Sequence, residues 1–262
     1  MKREMLSMII SSCDAYSDLW DIHVELLNKN WHDRQINTFI ATDKITEKQY
    51  SDINIISVEG LEVPRRLKAV AEKAKTKYIL VTLDDYFIVD KIDNKKIRRL
   101  INIMEKENLD YVRMWPFPHS NSAMTNYEKM YWVGYDSNYQ VNLYPAIWKT
   151  DFLVSTCNTD KNVWQYEVSL TETAKIYGAR SAISMNDDFP FLDVIRKGKV
   201  LHKAKRFLDK NGYKLEREIV PRRQEIKLDI MYYAKEILPK PILKIIKKIL
   251  IKCGRKFISD GI

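Results

Sequence analysis

The stretch KYILVTLDDYFIVD, residues 77–90, decides how the rest of the chain is read. Six apolar or β-branched residues, YILVTL, carry no alternation, which predicts a strand buried on both faces of a sheet. The run delivers two adjacent carboxylates, Asp84 and Asp85, to its exit. Ahead of it VPRRLKAVAEKAK (63–75) has helical spacing with proline at its opening, and behind it NKKIRRLINIMEKEN (94–108) has the same spacing. Working outward, MLSMIISSC (5–13), INTFIATD (36–43), INIISVEG (53–60) and LDYVRMWPF (109–117) read as strands. DAYSDLWDIHVELLNKNW reads as a helix between the first two. This alternation predicts an α/β fold, an open sheet with helices on both faces.

Such sheets bind ligands at the carboxyl ends of their strands. Two polar clusters fall there: the loop Ser11, Ser12, Cys13, Asp14, and the pair Asp84–Asp85. Burying two like charges side by side is costly without a cation, and hard oxygen donors suit Mg2+ or Mn2+. The alternative is a turn or cap built of aspartates. The sequence contains neither GxGxxG nor a Walker sequence, which argues against a dinucleotide dehydrogenase or a P-loop kinase.

The later chain supplies further polar candidates. Residues 119–135 are rich in Asn, Tyr and Trp and predict a loop or hairpin over a site. YQVNLYPAIWKTDFL (139–153) reads as strand then helix, with Gln140 and Asn142 as candidate hydrogen-bonding residues and Tyr144 and Trp148 assigned to the core. NVWQYEVSLTETAKIYG (162–178) reads as a helix stopped by Gly178, placing Trp164 and Glu167 one turn apart. Asp187 and Asp188 form a second acidic pair, read as turn formers and reserve candidates for a base. ARSAISMND (179–187) and FLDVIRKGKV (191–200) read as later strands.

Composition bounds the function classes. The chain has 262 residues, 45% of them apolar, with 7 glycines and 8 prolines, which excludes disordered and collagen-like classes. Apolar runs fall short of a membrane span, and the amino terminus reads as lacking a signal peptide. Three separated cysteines fit neither a disulfide framework nor a zinc site and predict reduced thiols in the cytoplasm. The net charge of +9 is uneven: from His202 onward there are 17 Lys/Arg against 7 Asp/Glu, so the body is near neutral. An appended basic tail argues against a nucleic-acid-binding face. Within it, PKPILKIIKKILIKCGRKF places Ile242, Ile245, Ile246, Ile249 and Leu250 at helical spacing, with lysines largely on the other face. That pattern predicts docking of residues 237–262 on an anionic membrane surface, ahead of packing on the body or on a second copy as a homodimer.

Four stretches together, SMIISSCDAYSDLW, VPRRLKAVAEKAKTKYILVTLDDYF, YQVNLYPAIWKTDFL and NVWQYE, resemble the GT-A glycosyltransferases of bacterial surface-polysaccharide (capsular, O-antigen or cell-wall) synthesis. The resemblance runs from about residue 5 to 205. It implies a GT-A-like mixed sheet with a Rossmann-type nucleotide-binding half at 1–115 and an acceptor half at 116–202; the basic helical tail at 203–262 is read from its charge and spacing and lies outside the resemblance. It implies Asp85 as metal ligand for Mn2+ or Mg2+ and Asp84 toward ribose or metal-bound water, although DDY departs from a strict D-x-D. Ser11, Ser12 and Asp14 would cradle base and ribose of a nucleotide-sugar, UDP-linked or other. Arg66 would meet the diphosphate or lie on a solvated face, and the solvated face is expected for Lys68. Glu167 would be the base of an inverting transfer, with Trp164, Gln140 and Asn142 toward a glycan or lipid-linked acceptor. Arg196, Lys197 or Lys199 would offset leaving-group charge, and His202 is a lesser metal candidate. The expected location is cytoplasmic, peripheral at the inner face of the cell membrane. The alternatives are a sugar nucleotidyltransferase, which usually carries a glycine-rich amino-terminal signature that SSCDAYSDLW lacks, and a non-enzymatic module that binds membrane or polyanion through the tail.

Overall fold

The computed structural model describes residues 5–226 and 230. The chain divides into two compact units, Met1–Leu192 and Asp193–Ile262. The expected docking helix at 237–262 lies outside the described residues. Among the described residues no helix is long and apolar enough to cross a membrane.

The first unit opens with β1 (Leu6–Ser11), a 3-10 turn (Asp14–Leu19) and α1 (Trp20–Asn30). β2 (Asn37–Thr42), β3 (Asn54–Ser57), α2 (Val63–Ala74), β4 (Tyr78–Leu83), β5 (Tyr86–Ile88) and α3 (Asn94–Glu107) follow. Then come β6 (Tyr111–Arg113), β7 (Met130–Trp132), β8 (Ala146–Lys149), α4 (Thr150–Thr156), α5 (Val163–Tyr177) and β9 (Ser181–Ser184). Eight of these strands make one sheet in the order β3-β2-β1-β4-β8-β6-β9-β7. β3, β2, β1 and β4 run parallel, β8 is antiparallel to both neighbours, and β7 closes the far edge antiparallel to β9.

The central strands carry no alternation because both faces are covered. Met8 and Ile10 of β1 and Leu80 of β4 face a core completed by Trp20, Val24 and Leu27 of α1 and Ile97, Leu100 and Met104 of α3. Ile9, Ile79 and Val81 point the other way, onto Leu67, Val70 and Ala71 of α2 and Leu170 and Ala174 of α5. Burying each such side chain contributes about 1.5–3 kcal/mol. Helix ends follow local chemistry. Asp93 accepts the Lys95 amide at the start of α3, Asn162 and Gln165 form a reciprocal capping box at α5, and Gly178 stops α5 at φ 73°.

The strand expected over YILVTL is β4, which ends at Leu83 in the Asp84–Asp85 turn, and the chain resumes beyond it as β5. The segment 139–145, expected to open as a strand, is irregular up to β8. The aromatic segment 119–135 forms a hairpin, with Ala123 bridged antiparallel to Tyr131, and supplies the edge strand β7. Its aromatics are spent there: Tyr127 donates to Glu107, Trp132 lies under Arg180, and Tyr135 donates to the Ala179 carbonyl.

β10 (Phe191–Asp193) carries the chain out of the first unit. In the second unit β11 (Ile195–Arg196) and β12 (Lys199–Val200) form a hairpin, and α6 (His202–Lys210) follows. Lys197 and Gly198 both take positive φ, 53° and 78°, the requirement of a tight two-residue hairpin turn. FLDVIRKGKV is thus a hairpin region instead of a single strand.

Candidate functional site

β1, β2 and β4 lie side by side and parallel, so their carboxyl ends deliver the Ser11–Asp14 loop, Asp43 and Asp84–Asp85 to one edge of the sheet. The three ends are tied together. The Ser12 amide donates to the Ala41 carbonyl at 2.9 Å and the Asp84 amide to the Ser11 carbonyl at 3.2 Å. The Ser12 hydroxyl donates to the Asp84 carboxylate and accepts the indole N–H of Trp20 at 2.7 Å. His23 donates from Nδ1 to the Asp84 carbonyl at 2.9 Å. Complete burial pushes the His23 ring down to about 4, which keeps it neutral at neutral pH. Asp84 is therefore a buried, oriented carboxylate, 6% exposed, while Asp85 at the turn is half-buried.

The loop after β1 is braced from below. Arg66 on α2 is 6% exposed and donates to the carbonyls of Leu61 at 2.7 Å and Ser12 at 3.2 Å, while its Nε is buried without a hydrogen-bond partner. The solvated-face alternative for Arg66 therefore does not hold. Lys68 does sit at the surface, donating to Asn158 at 2.7 Å, and Arg65 pairs with Asp160 at 2.9 Å.

Asp43, which sequence reasoning missed, accepts the Asp14 amide at 2.7 Å. Burial acts to raise its pKa, but that hydrogen bond, its own amide and the Arg66 charge outweigh it and hold Asp43 below the usual carboxylate value. The signal was present: INTFIATD ends in an aspartate at a strand exit, like the run into Asp84. Asp14 itself is half-exposed and its carboxylate meets Lys44 at 3.0 Å. The thiol of Cys13 is pushed up by burial and by the nearby Asp84 and Asp43 charges, which makes it a poor nucleophile. Among the described residues no group of three or more His, Cys, Asp or Glu side chains gathers as a metal site.

The acceptor-side candidates arrive from other elements. Glu167, on the second turn of α5, is half-buried and accepts the Leu143 amide at 3.3 Å. Leu143 precedes Tyr144, whose ring stacks on Tyr86 at 5.8 Å and 12°, and Tyr86 follows Asp85. The structure thus links the segment that holds Glu167 to the acid turn through one aromatic pair. Trp164, on the preceding turn of α5, is 62% exposed. Asn142 is buried and its amide is used locally, donating to the Tyr139 carbonyl at 2.8 Å and accepting the Tyr144 amide at 3.1 Å. Gln140 is 9% exposed, donates to Ser137 at 3.0 Å, and its carbonyl accepts Arg113 at 2.8 Å. In the second unit, Arg196 pairs with Asp193, Lys199 with Glu218 at 2.5 Å, and the His202 amide donates to Glu225.

Asp188 follows β9 and is 1% exposed. Its carboxylate accepts the Ser184 hydroxyl and its Oδ1 is buried without a partner. Burial raises its pKa against the opposing pull of that hydroxyl, Lys96 and Arg99. The folded state thus holds the Asp188 proton to higher pH than the unfolded chain. The Asp188 contribution to stability is complete below the unfolded carboxylate pKa and is lost as pH rises through the raised folded value. Chemical denaturation of wild type and Asp188→Asn across acidic to neutral pH is expected to show the variant gaining on wild type as pH rises. A constant difference contradicts this.

No protein-family model matches the chain, and no curated protein matches it in sequence. Solved structures do match in shape. The mannosyltransferase PcManGT from Pyrobaculum calidifontis, in complex with GDP-Man and Mn2+, aligns at TM-score 0.50 and 11% identity, over 76% of this chain and 59% of that one. The fold is GT-A-like. S. aureus TarS 1-349 in complex with UDP aligns at TM-score 0.49 and 11% identity, over 71% and 59%. A cytidylyltransferase from Leptospira borgpetersenii aligns at TM-score 0.46 and 10% identity, over 90% and 97%. The chain spans about 59% of the length of PcManGT and of TarS 1-349. At these identities the likeness concerns the fold alone.

Proposed function

We propose that this chain is a glycosyltransferase that binds a nucleotide-sugar at the carboxyl ends of β1, β2 and β4 and transfers the sugar to a glycan. The observation that carries the reading is the gathering of the Ser11–Asp14 loop, Asp43 and the oriented Asp84–Asp85 turn at one sheet edge, with Glu167 tied to the same neighbourhood through Leu143, Tyr144 and Tyr86. In this reading the Ser11–Asp14 loop and Asp43 hold base and ribose. Asp84, fixed by Ser12 and His23, and the more accessible Asp85 face the diphosphate. Two adjacent carboxylates, with no cluster of three metal-binding side chains among the described residues, fit Mg2+ or Mn2+ that takes its remaining oxygens from substrate phosphates. Such an ion would supply Lewis-acid stabilisation of the departing diphosphate. Arg66 acts from beneath, bracing the nucleotide loop through the Ser12 carbonyl. Glu167 takes the proton of the acceptor hydroxyl as it attacks, giving inversion.

A surface-polysaccharide or lipid-linked acceptor follows from the sequence resemblance, and residues 237–262 would bring the enzyme to the inner face of the membrane. A thermal-shift screen of UDP-, GDP-, CMP- and dTDP-sugars and of the nucleoside triphosphates, with and without manganese, tests the reading. A manganese-dependent upward shift with one donor class is expected. A shift only with a nucleoside triphosphate would favour a sugar nucleotidyltransferase instead, and no shift with any nucleotide contradicts both.

A further inference from the structure

Every polar atom of Ser12 is engaged inside the protein. Its amide donates to the Ala41 carbonyl at 2.9 Å, its carbonyl accepts Arg66 at 3.2 Å, and its hydroxyl accepts the indole N–H of Trp20 at 2.7 Å. The hydroxyl proton goes to the Asp84 carboxylate; the Cys13 carbonyl, at 3.3 Å, is the more distant acceptor for it. A serine has two donors, its N–H and its O–H, and both go to oxygens of this chain. Ser12 is also only 6% exposed.

The hydroxyl stands between two buried groups far apart in sequence. Trp20, the first residue of α1, is 1% exposed and sits in the core with Met8 and Ile10. Asp84 is 6% exposed, and its main chain is held separately: its amide donates to the Ser11 carbonyl at 3.2 Å and its carbonyl accepts His23 at 2.9 Å. Those two bonds act on the backbone of the acid turn. The bond from Ser12 acts on the carboxylate itself. Trp20 in turn fixes the hydroxyl. An indole N–H is a donor only, so it occupies an oxygen lone pair of Ser12 and leaves the O–H aimed at the carboxylate. Donation into a hydroxyl also strengthens the bond which that hydroxyl donates.

We propose that Trp20 is a positioning residue for the acid turn: through Ser12 it orients the Asp84 carboxylate toward the divalent cation that the Asp84–Asp85 pair would hold with a nucleoside diphosphate. The inference rests on the glycosyltransferase reading and deepens it. Within the nucleotide loop it moves the Ser12 hydroxyl from contact with the ribose to support of Asp84. It also gives a core indole of α1 a share in cation binding. Outer partners of this kind orient the ligating group, and their loss weakens metal affinity by about 10–100-fold.

Calorimetry of UDP or GDP, whichever binds, on the full chain with and without manganese tests the relay. The quantity read is the ratio of the two affinities. Ser12→Ala is expected to lower that ratio by about 10–100-fold, and Ser12→Thr, which keeps a hydroxyl, to restore most of it. Trp20→Phe is expected to lower the ratio too, but to lower it no further in the Ser12→Ala background, because its effect runs through the hydroxyl. A ratio unchanged in Trp20→Phe overturns the relay. So do effects of the two substitutions that simply add, since lost packing would act without Ser12. Trp20→Phe removes core volume, so the wild-type protein supplies a second reading. Its Trp20 indole N–H resonance is expected to shift when magnesium is added in saturating UDP or GDP. A resonance that does not move overturns the relay even where the variant fails to fold. Nucleoside diphosphate binding that ignores manganese overturns the relay and leaves nucleotide binding in place. Absence of nucleoside diphosphate binding overturns the glycosyltransferase reading and the relay with it.

Discussion

Asp85→Asn is expected to lower manganese-dependent affinity for a nucleoside diphosphate by at least about 100-fold, the upper range for disturbing even an indirect metal contact. The two acids of the turn are not equivalent. Asp84 is buried and oriented, its carboxylate accepting the Ser12 hydroxyl and its carbonyl the His23 ring. Asp85 is the more accessible of the pair. Asparagine keeps the volume of Asp85 and removes the charge that a divalent ion needs. It also removes one of two neighbouring like charges, and the melting temperature of the ligand-free variant reports separately on the fold. Calorimetry with and without manganese, together with a melt, reads both quantities. Unchanged affinity would remove Asp85 from the metal site.

Glu167→Gln is expected to reduce turnover by about 10²–10⁴-fold, the usual contribution of a general base, with donor affinity nearly unchanged. Glutamine retains an oxygen to accept the Leu143 amide, which Glu167 holds at 3.3 Å, so the backbone beside Tyr144 stays in place. What is lost is the capacity to take a proton. Steady-state rates alongside donor calorimetry separate this from a structural effect, which would weaken donor binding too. A near-normal rate would move the base role elsewhere, to Asp187 or Asp188 first.

The sheet was legible because its central strands are buried on both faces. YILVTL and MIIS lack alternation, and the intervening helices carry clear spacing and stop signals such as Gly178. The acid turn was legible for the same reason, since an apolar strand ending in two aspartates marks a carboxyl edge. Long-range relations were not legible. Nothing in VPRRLK shows that Arg66 turns inward to the Ser12 carbonyl while Arg65 faces Asp160. Asn142 reads as a free polar group, yet the Tyr139 and Tyr144 backbone engages it. Tyr144 reads as core because its aromatic neighbours, Tyr86, Trp115 and Phe191, are far away in sequence and meet only through sheet order. The segment 119–135 was legible as a hairpin, but its place at the sheet edge, set by antiparallel pairing with β9, was not.

The most direct measurement is a crystal structure of the full chain grown with manganese and the nucleoside diphosphate that stabilises it. An anomalous manganese peak at coordination distance from the Asp85 carboxylate, bridging to both phosphates, with the ribose against the Ser11–Asp14 loop, is the expected result. A nucleotide bound elsewhere, or bound at this edge with manganese away from the Asp84–Asp85 turn, would contradict it.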